Sequence, residues 1–426
     1  MKRQDKTFEI EDIATFRNKS LQWASQFSHC CLFNSNQIDF PYKPFKNFLA
    51  AGCEHEILFN GQNDFDALKA VFDTTKDWLV GHFSYDLKNQ TEDLHSFNKD
   101  LIGFEDISFF QPAHLIFFDH RKVTVQTCGD PTEVFREIEA INPKEKKTAN
   151  IAVQNTVTRD QYIDTVHKLR EHISEGDIYE INYCMEFFSE DAQLDPVRFF
   201  TELIALSPTP FSTFYKRRHH YALCASPERF IKKTVRKITS QPIKGTARRG
   251  TSSYEDEMIK QKLRTDEKEL AENMMIVDLV RNDLARSSTP GTVKVDEMFG
   301  IYTFKQLHQM ISTVSGTLRE DVHPVDSIKN AFPMGSMTGA PKIKVMELIE
   351  RYERSKRGLF SGSIGYFTPS GDFDFNVVIR TLLYRQDLSR ISFQVGSAIT
   401  YDSDPENEYE ECLLKAQAIS ALLANK

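Results

Sequence analysis

With 426 residues, 40% of them hydrophobic and 12% aromatic, the chain holds enough apolar material for one or more large cores, which excludes a disordered or fibrous protein. A net charge of -8, from 53 Lys and Arg against 61 Asp and Glu, argues against nucleic acid or an anionic membrane as the main partner, but a local cationic pocket for a small anion remains compatible with it. Seven cysteines without a CxxC pair predict reduced thiols, and MKRQDKTFEIEDI carries no apolar leader, so the expectation is a cytoplasmic protein with no membrane partner.

In chain order, residues 1 to about 143 alternate short strand-like runs (CCLFNSN, HEILFN, DWLVGHFSYDL, HLIFFDHRKVTVQTC) with turn residues and show no catalytic constellation. The polar NPKEKKTAN at 142–150 reads as a surface connection. Thr158 with Gln161 suits a capping box, and Tyr162, Val166, Leu169 and Ile173 then fall at helical spacing before Gly176. Asp177–Phe188 alternates as a strand, and FSTFYKRRHHYALCASPERFIKK reads as two more around a polar tip. Ala222–Thr234 and Val235–Thr246 form β-type runs joined through KKTVRK, an antiparallel hairpin that would carry Glu228 towards Lys244.

Lys244 stands between Pro242-Ile243 and Gly245-Thr246. A fixed chain on one side, a tight turn on the other and an apolar neighbour would desolvate its amine, lowering a pKa of about 10.4 towards neutrality, as an amine nucleophile requires. A solvated lysine beside a turn, or a plain cross-strand ion pair with Glu228, fits the same residues. Tyr254 to Ala285 reads as the longest helix, with Glu269 and Glu272 on one face, and the C-terminal helix PENEYEECLLKAQAISALL offers Glu408 and Glu411 at the same spacing. Two such pairs are compatible with a hard-cation site and equally with ordinary solvated faces partnered by Lys268 and Lys415. The loop FPMGSMTGAPKIK, with Gly335, Ser336, Thr338 and Gly339 ahead of a helix at Val345–Arg354, offers donors for an anion without a GxxxxGK[ST] pattern. The last strands leave Arg380 at a strand end, placed to grip a carboxylate.

Taken together, GDIYEINY, SPERF, PIKGT, DLVRNDLAR, FPMGSMTGAPK, GSIGYF, IRT, DSDPENEYEE and KA, in this order from Gly176 to Ala416, resemble the chorismate-utilising enzymes, the family of anthranilate, aminodeoxychorismate, isochorismate and salicylate synthases. The resemblance implies an α+β fold of two large, mainly antiparallel sheets packed as a sandwich with helices outside. It also implies an N-terminal region, 1–145, interwoven with a catalytic part, 150–426. Aminodeoxychorismate synthases typically carry the lysine of PIKGT and anthranilate synthases an alanine, so the resemblance makes Lys244 the nucleophile towards C2 of chorismate and Glu228 the general acid/base. Glu180 stands about where isochorismate and salicylate synthases carry the lysine that activates water.

The resemblance assigns Glu269, Glu272, Glu408 and Glu411 to Mg2+, and Thr338, Arg380, Gly396, Lys415 and His308 to chorismate. A separate glutamine amidotransferase subunit would supply ammonia for a product on the folate route, because no Cys-centred amidotransferase motif occurs in the chain. Anthranilate synthase and isochorismate or salicylate synthase are the alternatives. Two positions depart from the family: Ala398 where a second glycine is common, and Phe360 where anthranilate synthases often have tyrosine.

Overall fold

Short alternating runs bounded by turn residues need neighbours on both edges, and here they pair into two antiparallel sheets. The computed structural model describes residues 3–142 and 150–424. One sheet has 12 strands and the other 10. Both combine strands from early and late in the chain. His29–Asn34 pairs with Phe211–Arg217 in the first sheet, and Leu79–Phe83 pairs with Ser363–Phe367 in the second. Of the connection expected at 142–150, residues 143–149 lie outside the described residues.

The space between the sheets is filled largely by rings. Tyr366 of the second sheet meets Phe33 and Phe48 of the first edge-on, each at a centroid distance of 5.0 Å, and Tyr215 Oη of the first meets His82 Nδ1 of the second at 3.0 Å. Helices close the outer faces: Arg159–Ser174 and Pro405–Leu423 over the first sheet, Glu267–Ala285 and Pro324–Ala331 over the second. The result is an α+β sandwich with helices outside. Among the described residues no disulfide joins any of the seven cysteines, and no helix is long and apolar enough to cross a membrane.

Local signals act largely as read. The Thr158 hydroxyl accepts the Gln161 N–H at 3.3 Å, the Gln161 side chain accepts the Thr158 N–H at 2.9 Å, and the helix behind this box buries Tyr162, Val166 and Leu169.

Two expectations need correcting. The single helix expected at 254–285 is two, Ser253–Thr265 and Glu267–Ala285. Asp266 adopts extended backbone and its carboxylate accepts the Glu269 N–H at 3.2 Å, so an N-cap interrupts the helical pattern and a fresh helix begins. Glu269 and Glu272 therefore ride on the first two turns of a new helix. The simple hairpin is also interrupted. His220–Ser226 belongs to the first sheet and Arg229–Thr234 to the second, with Pro227 between them; the returning chain splits at Pro242 into Lys237–Gln241 and Ile243–Arg248. A proline offers no N–H to a ladder, and each break falls at one.

Candidate active site

Two chain crossings between the sheets run side by side and create the site. The first, Pro227-Glu228, leads from His220–Ser226 to Arg229–Thr234; the second, 377–380, leads from Phe373–Asn376 back to Thr381–Arg385. They are stitched together by Val377 N–H to Glu228 O at 3.0 Å and Ala225 N–H to Arg380 O at 3.2 Å. Glu228 and Arg380, 152 positions apart in sequence, thereby face one another through space.

The Glu228 side chain is buried, and burial is the main reason its carboxyl is pushed up to about 7, against hydrogen bonds from the Ser336 hydroxyl and the Ile243 N–H and the charges of Lys244 and Arg380. Arg380 sits in left-handed backbone, φ 51°, and burial pulls its guanidinium down to about 10 against the attraction of Glu228. No hydrogen bond or ion pair to that guanidinium occurs among the described residues.

Lys244 lies on Ile243–Arg248, and its Nζ donates to Glu180 Oε1 at 2.6 Å. The expectation of a depressed amine pKa is thus reversed. Burial does act to lower it, but Glu180, Glu272 and Glu411 together outweigh burial and hold the amine above its ordinary value. The direct ion-pair partner is Glu180, on the adjacent sheet, rather than Glu228, which acts on Lys244 only at longer range. The reason is the proline break: the strand turns away from its hairpin mate at Pro242 and pairs instead with Leu307–Thr317.

The two helices bring their glutamates within electrostatic reach of one another. Gly245, at φ 88°, makes room for one of them: a Cβ there would stand 3.2 Å from Glu269 Oε2 and 3.1 Å from Met310 Cβ. Glu269 is raised by burial and by the Glu411 charge, and Glu272 by burial to about 7, while Lys415, 2.7 Å from Glu411, holds that carboxyl low. Lys268 stands among them, 3.0 Å from Glu408 Oε1 and 3.6 Å from Glu272 Oε1. Glu272 Oε1 is buried and has no hydrogen-bond partner.

An all-carboxylate donor set with an orphaned buried oxygen fits a hard divalent cation. The four glutamates are not drawn together, however. Among the described residues the group of His, Cys, Asp and Glu ligand atoms all within 4.8 Å of one another is instead His172, Glu175 and Asp177, of which His172 is already bonded to Asp177 and to Tyr352.

The remaining expected residues divide. Lys415 Nζ donates to Gly396 O at 2.8 Å, and Gly396 is needed where it is because a Cβ would meet Cys184 Sγ at 2.5 Å. The Thr338 hydroxyl is turned to the carbonyls of Met334 and Gly335, while its own carbonyl accepts the Asn182 N–H at 2.8 Å. His308 is fully buried and bridges Asp256 and Thr303, at 2.9 Å from each, so both its ring nitrogens are engaged away from Lys244 and Glu228. Phe360 is buried in the apolar core against the second sheet, and Ala398 is buried in its strand opposite Asn182.

Several residues that hold the site together were not singled out for that role. Asn273, next to Glu272, donates to the Lys244 carbonyl at 3.4 Å and accepts from Ser312 at 2.6 Å, locking helix to strand. Arg357 donates to the carbonyls of Met337 and Asn182, at 2.6 and 2.7 Å, and pairs with Glu353, whose carboxylate also takes the Cys184 N–H. This buried pair ties the Gly335–Thr338 loop to the strand bearing Glu180. The only sequence signal was the i, i+4 spacing of Glu353 and Arg357, which any surface helix also shows.

The sequence signature described as "chorismate binding enzyme" matches residues 28–421. The chain is 34% identical over 365 residues to the chloroplastic aminodeoxychorismate synthase of Arabidopsis thaliana, covering 80% of this chain but only 39% of that protein's length. It is 34% identical over 344 residues to aminodeoxychorismate synthase component 1 of Escherichia coli, covering 80% and 75%. Among solved structures, anthranilate synthase component I from Streptococcus pneumoniae superposes with a TM-score of 0.79 at 26% identity, over 91% of this chain and 95% of that one. With the two sheet crossings, the buried carboxyl at one of them and the helix-borne glutamates in place, the chain belongs to the chorismate binding enzyme family.

Proposed function

We propose that the chain is the chorismate-aminating component of an aminodeoxychorismate synthase, converting chorismate and ammonia to 4-amino-4-deoxychorismate, a precursor on the folate route. The observation that carries this reading is the position of Lys244. Its amine is bonded to Glu180 at 2.6 Å and lies within electrostatic reach of Glu228 on one side and of Glu272 and Glu411, one from each glutamate helix, on the other, and in this reading Glu180 takes its proton. Relatives named aminodeoxychorismate synthase at 34% identity support it.

In this reading Lys244, held as an ammonium in the resting site, passes a proton to Glu180 and forms a bond from Nζ to C2 of chorismate. The ring double bond shifts, the C4–O bond breaks, and the protonated Glu228 gives its proton to the departing oxygen, which leaves as water. A carboxyl raised to about 7 is protonated often enough near neutrality to serve. Ammonia then forms the bond at C4 as the C2–N bond breaks and Lys244 is released. A glutamine amidotransferase subunit supplies the ammonia. Arg380 binds a substrate carboxylate, and Lys415 contributes positive charge close to it. Glu269, Glu272, Glu408 and Glu411 would hold Mg2+, which when bound would supply the positive charge that lets an anionic substrate rest among glutamates.

The alternative, anthranilate synthase component I, is favoured by the name of the structural relative and by sequence relatives of that name, among them anthranilate synthase component 1 of Thermus thermophilus at 32% identity. The test is to incubate the purified chain with chorismate, Mg2+ and ammonium salt and to weigh the product. A product with the mass of aminodeoxychorismate, formed by the parent and not by Lys244→Ala, supports the proposal. Fluorescent anthranilate with equal pyruvate would overturn it in favour of the alternative, and an isomer of chorismate would point to isochorismate.

A further inference from the structure

The side chain of Lys268 has no part in the chemistry above, yet it occupies the middle of the carboxylate cluster. It springs from the first turn of Glu267–Ala285 and crosses to the C-terminal helix, where Nζ stands 3.0 Å from Glu408 Oε1, and it lies 3.6 Å from Glu272 Oε1 on its own helix. Those are oxygens from two of the four glutamates proposed to hold Mg2+, one from each helix. The Glu272 oxygen is the buried one left without a hydrogen bond, so the ammonium is near it but does not satisfy it. The other cations of the cluster are differently placed. Lys244 is bonded to Glu180, and Lys415 is bonded to Glu411 and to the Gly396 carbonyl. Lys268 is also the most solvent-exposed of the three, at 41% of its side chain against 10% for Lys244 and 33% for Lys415, so a free path to water is open to it.

A divalent cation bonded to carboxylates at about 2.0–2.1 Å shares no space with an ammonium that spans the same oxygens. Two like-charged groups also repel strongly in a partly dry site. We infer that Lys268 is a built-in placeholder cation: it screens the glutamates from one another while the site lacks a metal ion, and it must swing out to solvent for the ion to enter. Lys268 thereby sets the metal affinity of the site without touching chorismate. The device explains why the four carboxylates stay folded together though their charges oppose it, and why they are spread around an ammonium rather than drawn in to a single point. The inference rests on the proposed metal role of these glutamates.

The test is Mn2+ binding to the full chain without chorismate, followed by electron paramagnetic resonance of the free ion and by calorimetry, for the parent, Lys268→Met, Lys268→Arg and the remote surface change Lys344→Met. Lys268→Met keeps the stem and removes the charge. It should bind Mn2+ at least about tenfold more tightly than the parent, the scale expected when one partly exposed competing charge is removed. Its metal-free form should unfold at a lower temperature, and Mn2+ should raise that temperature by more than it does for the parent. Lys268→Arg and Lys344→Met should bind like the parent. Unchanged or weaker Mn2+ binding by Lys268→Met overturns the placeholder role while leaving the metal site standing. Absence of Mn2+ binding by parent and variant alike overturns both.

Discussion

The ion pair between Lys244 and Glu180 allows a sharp test through Glu180→Gln, which keeps the shape of the side chain and removes its charge. Glu180 is 1% exposed and Lys244 10%, so water does little to screen the loss. Removing one partner of a buried pair costs about 3–5 kcal/mol. Glu272 and Glu411 also hold the amine charged, which places the expectation at the lower end, about 3 kcal/mol, or on the order of a hundredfold in the folding equilibrium.

The pH dependence has a definite sign. In the parent the amine is held above its ordinary value, so the pair's contribution to stability is complete below about pH 10 and is lost as pH rises further. In Glu180→Gln burial is opposed by less, the amine gives up its proton more readily, and that alkaline loss disappears. Urea unfolding near neutral pH reads the first effect. The rate at which trinitrobenzenesulfonate labels Lys244 from about pH 7 to about pH 10, followed by peptide mass spectrometry, reads the second. A variant that unfolds at the parent's urea midpoint, with Lys244 as unreactive as before, would refute this account of the site's electrostatics.

Two further outcomes follow from the geometry. Because burial raises the Glu228 carboxyl to about 7, its charged form weakens the fold at higher pH; Glu228→Gln should be more stable than the parent at about pH 8, by up to about 3 kcal/mol, with the gain fading as pH falls through 7 to about 4.5, while chorismate turnover collapses. Equal stability at all pH values counts against the burial argument. Gly245→Ala meets both left-handed backbone and Glu269, and should lose about 1–3 kcal/mol in urea unfolding and need more Mg2+ for half-maximal turnover; an unchanged midpoint would show that the strand relaxes freely.

Much of the architecture was legible because it rests on local rules. The capping box at Thr158 and Gln161 needs only three residues' separation, and strand alternation needs only two. The helix break at Asp266 was legible in principle too, since an Asp three residues before a Glu is an N-cap signal, but the apolar periodicity running through it looked continuous. The crossings at Glu228 and Arg380 were not. Nothing in SPERF or VVIRT says that one strand leaves a sheet and another returns to it beside the first, because sheet membership is set by partners more than a hundred residues away.

By itself the sequence determined which side chains were available and in which order: one lysine in PIKGT, one glutamate in SPERF, and two helices each with a glutamate pair. The tertiary structure alone decided the charge state in which Lys244 waits. An apolar neighbour in sequence argued for a neutral amine, whereas three carboxylates brought in from other elements, one of them 64 positions away and 2.6 Å distant, hold it as an ammonium. Coulomb energy depends on separation in space and on the dielectric around it, and both are set only when the sheets and helices close over the site.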